Sequence, residues 1–293
     1  MLGISPELIA ELIAIARTAG EAILAVYNAA EKTDIDFKED GSPVTRADLA
    51  AHQVIVQALE QLLPIPIISE EDKLPDFAER RTWSRYWLID PLDGTKEFVR
   101  RNDEFTVNIA LIQQGVAVLG VVHVPVQDET YVGVNKTISQ SDKPLAEKYY
   151  AGKKIANLLT RNLSDRFTAR QSLDVLISHR HSGKENEMLL QYIARHWPVP
   201  LHYIKAGSSL KFCWLAEGRA DFYPRLAPTS EWDTAAAQAV LEAAGGAVLN
   251  ANDLTPLIYN RSDSILNPWF FAIADEALKA QLITFVDAAD HRF

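Results

Sequence analysis

A predicted buried strand that runs directly into two carboxylates constrains this 293-residue chain more than any other feature. The apolar run 86–89 indicates the strand, and Asp90-Pro91-Leu92-Asp93-Gly94-Thr95-Lys96 follows it. We expect a tight turn here, with Gly94 close to a ligand and Thr95 at the start of a helix. Mg²⁺ binds one or two carboxylates together with phosphate oxygens and water. The segment is therefore a candidate site for metal and phosphate, although an Asp-x-x-Asp-Gly sequence alone is more often only a turn.

Two other acidic segments favour the metal interpretation. The short apolar run 65–68 predicts a second strand that leads into Ser69-Glu70-Glu71-Asp72. Acidic residues thus follow two strand ends, where ligands of open α/β sheets gather. Far downstream, Asp233 is predicted to be the N-cap of an alanine-rich helix that ends near Ala244. Capping alone would account for Asp233, but this carboxylate could also complete a cage for two or three metal ions.

These segments resemble the signature of the inositol monophosphatase superfamily. The likeness is carried by Glu70-Glu71, by the segment 90–95 and by Trp232-Asp233. Within the superfamily the chain is most similar to the bacterial 3′(2′),5′-bisphosphate nucleotidases of sulfur assimilation, and the segments that carry this closer likeness are 41–48, 95–98, 104–111, 207–213, 223–225 and 228–229. The resemblance extends from about residue 5 to about residue 270.

The resemblance implies an α/β fold, a layered α-β-α-β-α sandwich of the inositol monophosphatase and sugar phosphatase type. Residue periodicity predicts helices over 6–29, 45–62, 184–196, 208–217 and 233–244. Alternating and apolar runs predict strands over 107–111, 116–126, 130–134, 175–178 and 220–224, the first three as an antiparallel meander.

A change of pattern near 135–170 predicts two sub-domains. The first, residues 1–140, would be an α+β unit that holds the metal site, and the second, residues 141–293, an α/β unit that holds the specificity elements. The basic stretch 143–170 is interrupted by acidic residues, which favours a solvated linker or edge segment. We expect the active site where the two units meet.

The resemblance and the chemistry of hard cations together predict the metal ligands. We assign Glu70, Asp90 and the backbone carbonyl of Leu92 to one Mg²⁺, and Asp90, Asp93 and Asp233 to a second. Glu70 would reach a third ion through water. Glu70, Leu92, Asp93 and Asp233 would then also contact the substrate phosphate. Like its relatives, the enzyme would be magnesium-dependent and sensitive to lithium.

The resemblance also implies catalytic roles for Asp48 and Thr95, together with Glu70. Asp48 and Thr95 would form a pair that helps to deprotonate the attacking water, and the N–H groups of Gly94 and Thr95 would hold the scissile phosphate. A simpler interpretation of Asp48 remains open, because a carboxylate in the first turn of a helix is favourable by itself.

Substrate choice is expected to depend on the second half. By resemblance, Gly207 and Ser208 open a helix at the sugar, Lys211 and Arg225 pair with a second phosphate, and His181 contacts the adenosine. Lys211 and Arg225 could equally be a surface residue and a solvated loop charge. The context Ser178-His179-Arg180-His181 departs from the Ser-Arg-Ser-His of bacterial members.

Composition and charge exclude several classes of protein. A net charge of −10 without a basic stripe argues against nucleic-acid binding, and bound cations would instead recruit a phosphate substrate. We predict no transmembrane segment, because acidic and basic residues interrupt the apolar N-terminal stretch. The single Cys213 suits a reducing compartment, so we expect a cytoplasmic protein, with peripheral contact at the inner membrane left open. The sequence does not predict an oligomeric state.

Three interpretations of function remain. The first is hydrolysis of adenosine 3′,5′-bisphosphate, and of its 5′-phosphosulfate, at the 3′-phosphate. The second is an inositol monophosphatase or related sugar phosphatase with the same metals. The third is a non-catalytic relative that binds nucleotide or metal. Retention of Asp48 and Thr95 argues against the third, and the segments 207–211 and 223–225 favour the first over the second.

Overall fold

Helices and sheets alternate in layers, with one group of helices enclosed between two sheets. The structure is a computed structural model, and it describes residues 4–29, 35–37, 43–139, 143–163, 171–179, 184–197 and 199–288. The helices are α1 (Pro6–Tyr27), α2 (Arg46–Leu62), α3 (Phe77–Arg80), α4 (Thr95–Arg100), α5 (Lys184–His196), α6 (Leu210–Ala216), α7 (Ala235–Ala243) and α8 (Ala277–Ala288), with short 3₁₀ turns at Pro125–Gln127 and Glu231–Asp233.

The strands form two large sheets and one hairpin. The hairpin pairs β1 (Ile35–Phe37) with β2 (Pro43–Thr45). The first sheet has the order β3 (Ile67–Ser69), β4 (Arg85–Asp93), β5 (Thr106–Gln113), β6 (Val116–Val124), β7 (Glu129–Val134), β8 (Leu145–Tyr150) and β9 (Lys153–Asn157). The second has the order β11 (Leu201–Lys205), β10 (Leu173–Ile177), β12 (Phe222–Arg225), β14 (Phe270–Ile273) and β13 (Ala247–Asn250).

Three buried cores separate the layers. Helices α1 and α2 cover one face of the first sheet, α6 and α7 fill the space between the sheets, and α5 and α8 cover the outer face of the second. Alternate residues of strand β4 face opposite sides of the sheet and therefore enter different cores. Trp87 lies in the core beneath α1 and α2, and Leu88 lies in the core between the two sheets. The predicted α-β-α-β-α sandwich is confirmed.

Two glycines allow α7 to lie directly on the first sheet. A Cβ atom added to Gly120 of β6 would lie 1.9 Å from the carbonyl oxygen of Ala236, and one added to Gly133 of β7 would lie 2.4 Å from that of Ala239. No side chain fits at either position. This close contact brings the turn that precedes α7, and with it Asp233, against the first sheet.

Most predicted elements are present, with shifted ends. The helix predicted over 233–244 instead begins at Ala235 after the 3₁₀ turn, and its N-cap is Thr234, so the prediction of Asp233 as N-cap is wrong. Part of the segment 143–170 forms β8 and the fully exposed edge strand β9, which complete the first sheet beyond residue 140. The boundary between residues 140 and 141 stays a prediction. None of the described helices is long and apolar enough to cross a bilayer.

Candidate active site

Three carboxylates meet where the first sheet ends. Strands β3 and β4 run parallel with Ser69 opposite Ile89, so the next residue of each chain segment, Glu70 after Ser69 and Asp90 after Ile89, lies beside the other. Asp233 reaches the same place from the 3₁₀ turn between the sheets. Carboxylate oxygens of Glu70, Asp90 and Asp233 all lie within 4.8 Å of one another. The structure thus brings together three of the predicted metal ligands from distant parts of the sequence.

The segment that follows Asp90 is a strand with a bulge rather than the predicted tight turn. Strand β4 continues to Asp93, and its register against β5 shifts between Asp90, opposite Asn108, and Asp93, opposite Thr106. The extra residue of a bulge re-aims side chains, which explains how both carboxylates reach the site from one strand. Gly94 then has a φ of 92°, which favours glycine, and α4 begins at Thr95 as predicted.

Asp90 is a buried carboxylate surrounded by other negative charges, and a bound divalent cation would compensate its charge. Its side chain is 1% exposed, Oδ1 accepts a hydrogen bond from the Leu92 N–H at 3.0 Å, and Oδ2 has no hydrogen-bond partner among the described residues. Burial, followed by the charges of Glu70 and neighbouring aspartates, raises the pKa of Asp90 well above its ordinary value. An orphaned buried oxygen among hard anionic donors fits a metal such as Mg²⁺.

Asp233 has a similar electrostatic environment. Loss of hydration, and then the charges of Asp93 and Glu70, raises the pKa of Asp233 well above its ordinary value. Its Oδ2 accepts a hydrogen bond from the Ser230 N–H at 2.9 Å, which closes a capping box over the 3₁₀ turn. Asp233 is thus the third residue of a turn whose N-cap is Ser230, and not the predicted N-cap of the helix.

Asp93 lies beside this cluster and outside the group of three. Its Oδ2 accepts three hydrogen bonds, from Ser208 Oγ at 2.6 Å, from Ser209 N at 2.7 Å and from Ser209 Oγ at 2.7 Å. Among the described residues these three hydrogen bonds all go to Oδ2 and none to Oδ1, and the charge of Asp93 acts on both Asp90 and Asp233. A metal-binding role for Asp93 stays a prediction, as does that of the carbonyl of the buried Leu92.

Asp48 and Thr95 form the expected pair. Thr95 Oγ1 donates to Asp48 Oδ1 at 3.3 Å, while Asp48 Oδ2 accepts from Thr45 N at 2.7 Å and from Thr45 Oγ1 at 2.6 Å. Asp48 therefore completes the capping box of α2 and also contacts Thr95, and the catalytic role of the pair stays a prediction. Burial is the largest cause that raises the pKa of Asp48, and the charge of Glu70 adds to it.

A cavity of about 710 Å³ adjoins the carboxylates, and Asp93, Gly94 and Asp233 are among the residues that line it. Lys211 lines it, with Nζ donating to the carbonyl of Ser208 at 2.8 Å and to that of Ala206 at 3.3 Å. Lys211 is 5% exposed, so the alternative of a surface lysine is wrong. Burial lowers the pKa of Lys211 to about 8, although nearby carboxylates oppose this effect.

Arg225 lines the same cavity from the second sheet. Its guanidinium donates to Thr229 Oγ1 at 2.8 Å and to the Pro228 carbonyl at 3.1 Å, so it is oriented by the protein rather than freely solvated. Gly207 and Ser208 line the cavity as well, and Ser208 has a φ of 48° in the left-handed region. His181 lies outside the described residues.

Sequence reasoning missed the polar residues that connect the two halves at this site. Glu104 Oε2 accepts from the Gly207 N–H at 2.7 Å and pairs with His179 Nε2 at 2.5 Å. Ser209 and Asn108 are hydrogen-bonded at 2.9 Å. For Glu104, Asn108 and Ser209 the only sequence signal was their position within the segments 104–111 and 207–213, which carried the resemblance, and no role was assigned to these three residues.

The layered fold and the carboxylate cluster define the class of protein. The chain belongs to the inositol monophosphatase family, whose model matches residues 5–288. Among curated relatives, the protein of Escherichia coli named 3′(2′),5′-bisphosphate nucleotidase CysQ is 46% identical over 257 residues, which cover 87% of this chain and 95% of that relative. The protein of the same name in Buchnera aphidicola is 39% identical over 263 residues, covering 89% and 91%.

A solved structure gives the same assignment. CysQ from Bacteroides thetaiotaomicron, described as a bacterial member of the inositol monophosphatase family, matches with a TM-score of 0.73 and 40% identity. The match covers 91% of this chain and 96% of that protein. The resemblance inferred from the motifs is thereby confirmed.

Proposed function

We propose that this chain is a Mg²⁺-dependent 3′(2′),5′-bisphosphate nucleotidase that converts adenosine 3′,5′-bisphosphate to AMP and phosphate. We include the corresponding 5′-phosphosulfate as a substrate, cleaved at the same 3′ position. The observation that carries the proposal is the cluster of Glu70, Asp90 and Asp233, because Asp233 also lines a cavity that is lined by Lys211 and Arg225. The named activity of the 46% identical relative supports it.

The donor set defines what a metal would add. Divalent cations held by Glu70, Asp90 and Asp233, and by Asp93 through Oδ1, would clamp the phosphate, lower the pKa of a bound water and neutralise the leaving oxygen. All of these donors are hard carboxylate oxygens, which suits Mg²⁺. In a protein with a net charge of −10, such cations also reconcile an acidic site with a highly charged substrate.

Thr95 and Asp48 accept the proton of the attacking water. Thr45 fixes Asp48 through two hydrogen bonds to Oδ2, so that Oδ1 faces Thr95. Thr95 Oγ1 accepts a proton from the attacking water while its own proton passes to Asp48. A raised pKa makes Asp48 a better base than an ordinary carboxylate. The water oxygen bonds to phosphorus, and the bond from phosphorus to the 3′ oxygen breaks. That oxygen takes up one proton from solvent and Asp48 returns its proton to solvent, so one water is consumed overall.

The cavity provides the means of substrate selection. With the 3′-phosphate at the carboxylates and the N–H groups of Gly94 and Thr95, the 5′-phosphate extends towards Lys211 and Arg225. A phosphate there would supply the acceptors that their remaining donors need. A substrate without this second anion, such as inositol monophosphate, would leave the buried Lys211, whose pKa is about 8, without a phosphate as hydrogen-bond partner.

We expect Arg225→Ala to raise the KM for adenosine 3′,5′-bisphosphate by roughly 10-fold or more, because a charge-assisted hydrogen bond is lost. For adenosine 3′-phosphate, which lacks the 5′ group, the same variant should leave KM nearly unchanged. Phosphate release from both substrates, measured with and without the substitution, isolates the contact to the 5′-phosphate.

Arg219→Ala is the matched control, since this guanidinium is about half exposed and stacks on Trp214 away from the cavity. Equal effects of Arg225→Ala on both nucleotides would contradict the assignment of Arg225. In a panel with inositol monophosphate, faster release from inositol monophosphate than from the nucleotide would favour the sugar phosphatase alternative. No release from any substrate with Mg²⁺ would favour a non-catalytic protein.

We also expect lithium to inhibit uncompetitively with respect to substrate. Asp93 and Asp233 would hold an ion that leaves with the product, and Li⁺ is close to Mg²⁺ in size but has half its charge. An ion of lower charge stabilises the negative charge of the transition state less. Initial rates against substrate at several LiCl concentrations, with KCl keeping the ionic strength constant, measure this. Inhibition by KCl equal to that by LiCl would indicate simple salt screening instead.

A further inference from the structure

Ser209 has the sequence position of a helix cap but does not act as one. It is the N-cap of α6, yet its side chain makes no capping hydrogen bond. A serine at this position ordinarily bonds to an N–H of the first turn. Here the hydroxyl points away from the helix and towards the aspartates of the active site.

The bonds of Ser209 converge on two of the aspartates. Its backbone N–H and its hydroxyl both lie 2.7 Å from Asp93 Oδ2, and the hydroxyl lies 3.0 Å from the carbonyl oxygen of Asp233. Ser209 is 1% exposed, so water does not compete for these bonds. One residue of the second half therefore touches an aspartate of the first half and the backbone of the cluster's third member.

Asn108 determines the direction of the Ser209 hydroxyl. Asn108 Nδ2 donates to Ser209 Oγ at 2.9 Å from β5, where Asn108 is opposite Asp90. An oxygen that accepts from Asn108 has its own proton left to donate towards the aspartates. The neighbouring Ser208 repeats this pattern, with Thr106 Oγ1 at 2.6 Å on one side and Asp93 Oδ2 at 2.6 Å on the other.

We infer that Ser209, oriented by Asn108, is a positioning residue for the metal-binding carboxylates. Its backbone N–H donates to Asp93 Oδ2, and its single hydroxyl proton is shared between Asp93 Oδ2 and the Asp233 carbonyl, so Ser209 fixes both the Asp93 carboxylate and the 3₁₀ turn. Groups behind metal ligands commonly have this role, and their loss typically costs roughly 10–100-fold in metal affinity or activity. The left-handed φ of Ser208 is consistent with a loop held in place by these bonds.

This inference rests on the proposed function, because it concerns the same metal site. It extends that function by making the sugar-side loop, residues 207–209, part of the support of the metal site. Ligand binding in the cavity and metal binding are then coupled through Asp93, because both depend on the position of this loop.

The test is Mg²⁺ binding to the substrate-free protein, followed by isothermal titration calorimetry, alongside kcat and KM. We expect Ser209→Ala to weaken Mg²⁺ binding by roughly 10-fold or more, and Asn108→Ala to weaken it less. If Asn108 acts through Ser209, the double variant should bind no more weakly than Ser209→Ala. Should Ser209→Ala fail to fold in a thermal unfolding check, Asn108→Ala alone carries the test.

Thr130→Ala is the control, because its fully buried hydroxyl bonds to His123 Nδ1 at 2.9 Å in the first sheet and touches no carboxylate of the site. We expect this variant to keep the Mg²⁺ affinity of the wild type. Unchanged affinity in Ser209→Ala, or an equal loss in Thr130→Ala, would overturn the positioning role while leaving the proposed function intact. A wild-type protein that binds no Mg²⁺ would refute both.

Discussion

Replacement of Asp90 by asparagine is expected to reduce phosphatase activity sharply and, at the same time, to stabilise the metal-free protein. Asp90 is buried among Glu70, Asp93 and Asp233, and its Oδ2 has no hydrogen-bond partner among the described residues. An asparagine side chain at this position would have nearly the same shape with one negative charge fewer, so a metal ligand is lost while electrostatic repulsion falls. We expect activity to fall by roughly 10³-fold, the scale of losing a preorganised electrostatic group from a catalytic site.

The predicted stabilisation can be checked by the direction in which the stability of the metal-free protein changes with pH. A carboxyl whose pKa is raised on folding binds its proton more tightly in the folded state than in the unfolded state. The metal-free wild type should therefore lose stability as the pH rises from about 4 through the raised pKa of Asp90. Asp90→Asn should flatten this decline, and added Mg²⁺ should raise the Tm of the wild type but not of the variant.

Thermal unfolding in EDTA and in MgCl₂ at about pH 5 and about pH 8, on either side of neutrality, measures these effects. Asp72→Asn is the matched control, because Asp72 belongs to the same acidic segment but its side chain is 57% exposed and pairs with His52 at 3.5 Å. The control should keep its activity and its response to Mg²⁺. A lower Tm for Asp90→Asn in EDTA at the higher pH, together with retained turnover, would contradict the metal assignment.

Thr95→Ala is expected to lower kcat by roughly 100-fold or more, the range for loss of acid–base assistance. Thr95 is the first residue of α4, whose cap is Gly94, so its hydroxyl is not needed to start the helix. Mg²⁺ binding should change little, because no carboxylate is removed. Thr95→Ser keeps a hydroxyl near Asp48 and should retain most of the activity.

A pH–rate profile separates catalysis from packing in this pair. The wild-type rate should fall on the acidic side as Asp48 becomes protonated, at a pH above the value of about 4 for an ordinary aspartate, because its pKa is raised. Thr95→Ser should keep this limb, and Thr95→Ala should lose it. An unchanged kcat in Thr95→Ala would leave Asp48 with only its capping role at Thr45.

The carboxylate cluster was predictable because local patterns determine it. Two apolar runs, each followed by acidic residues, become the parallel neighbours β3 and β4, so Glu70 and Asp90 must end side by side. Asp233 was recognised from the resemblance rather than from spacing, since its partners lie far away in the sequence. No local pattern states that a turn near residue 232 will reach the end of a distant sheet.

Long-range contacts account for what the sequence did not predict. The interpretation of Asp90–Asp93 as a turn failed because pairing with β5 extends the strand and turns the extra residue into a bulge. Lys211 is a lysine that sequence alone would place at the surface, yet its helix lies between two sheets and its Nζ is bonded to backbone carbonyls. Nothing in the sequence around a single lysine indicates that a second sheet will bury it.

By itself the sequence determined the family, the layered class of fold and the residue types of a metal-dependent phosphatase, because strand patterns, glycine turns and hard oxygen ligands are local. The tertiary structure decided which of these residues act together. Helix α7 packs against Gly120 and Gly133, which brings Asp233 to Asp90. Ser209 is hydrogen-bonded to Asp93 across the two halves. Close packing and buried hydrogen bonds between distant segments depend on the whole fold, so only the structure could reveal them.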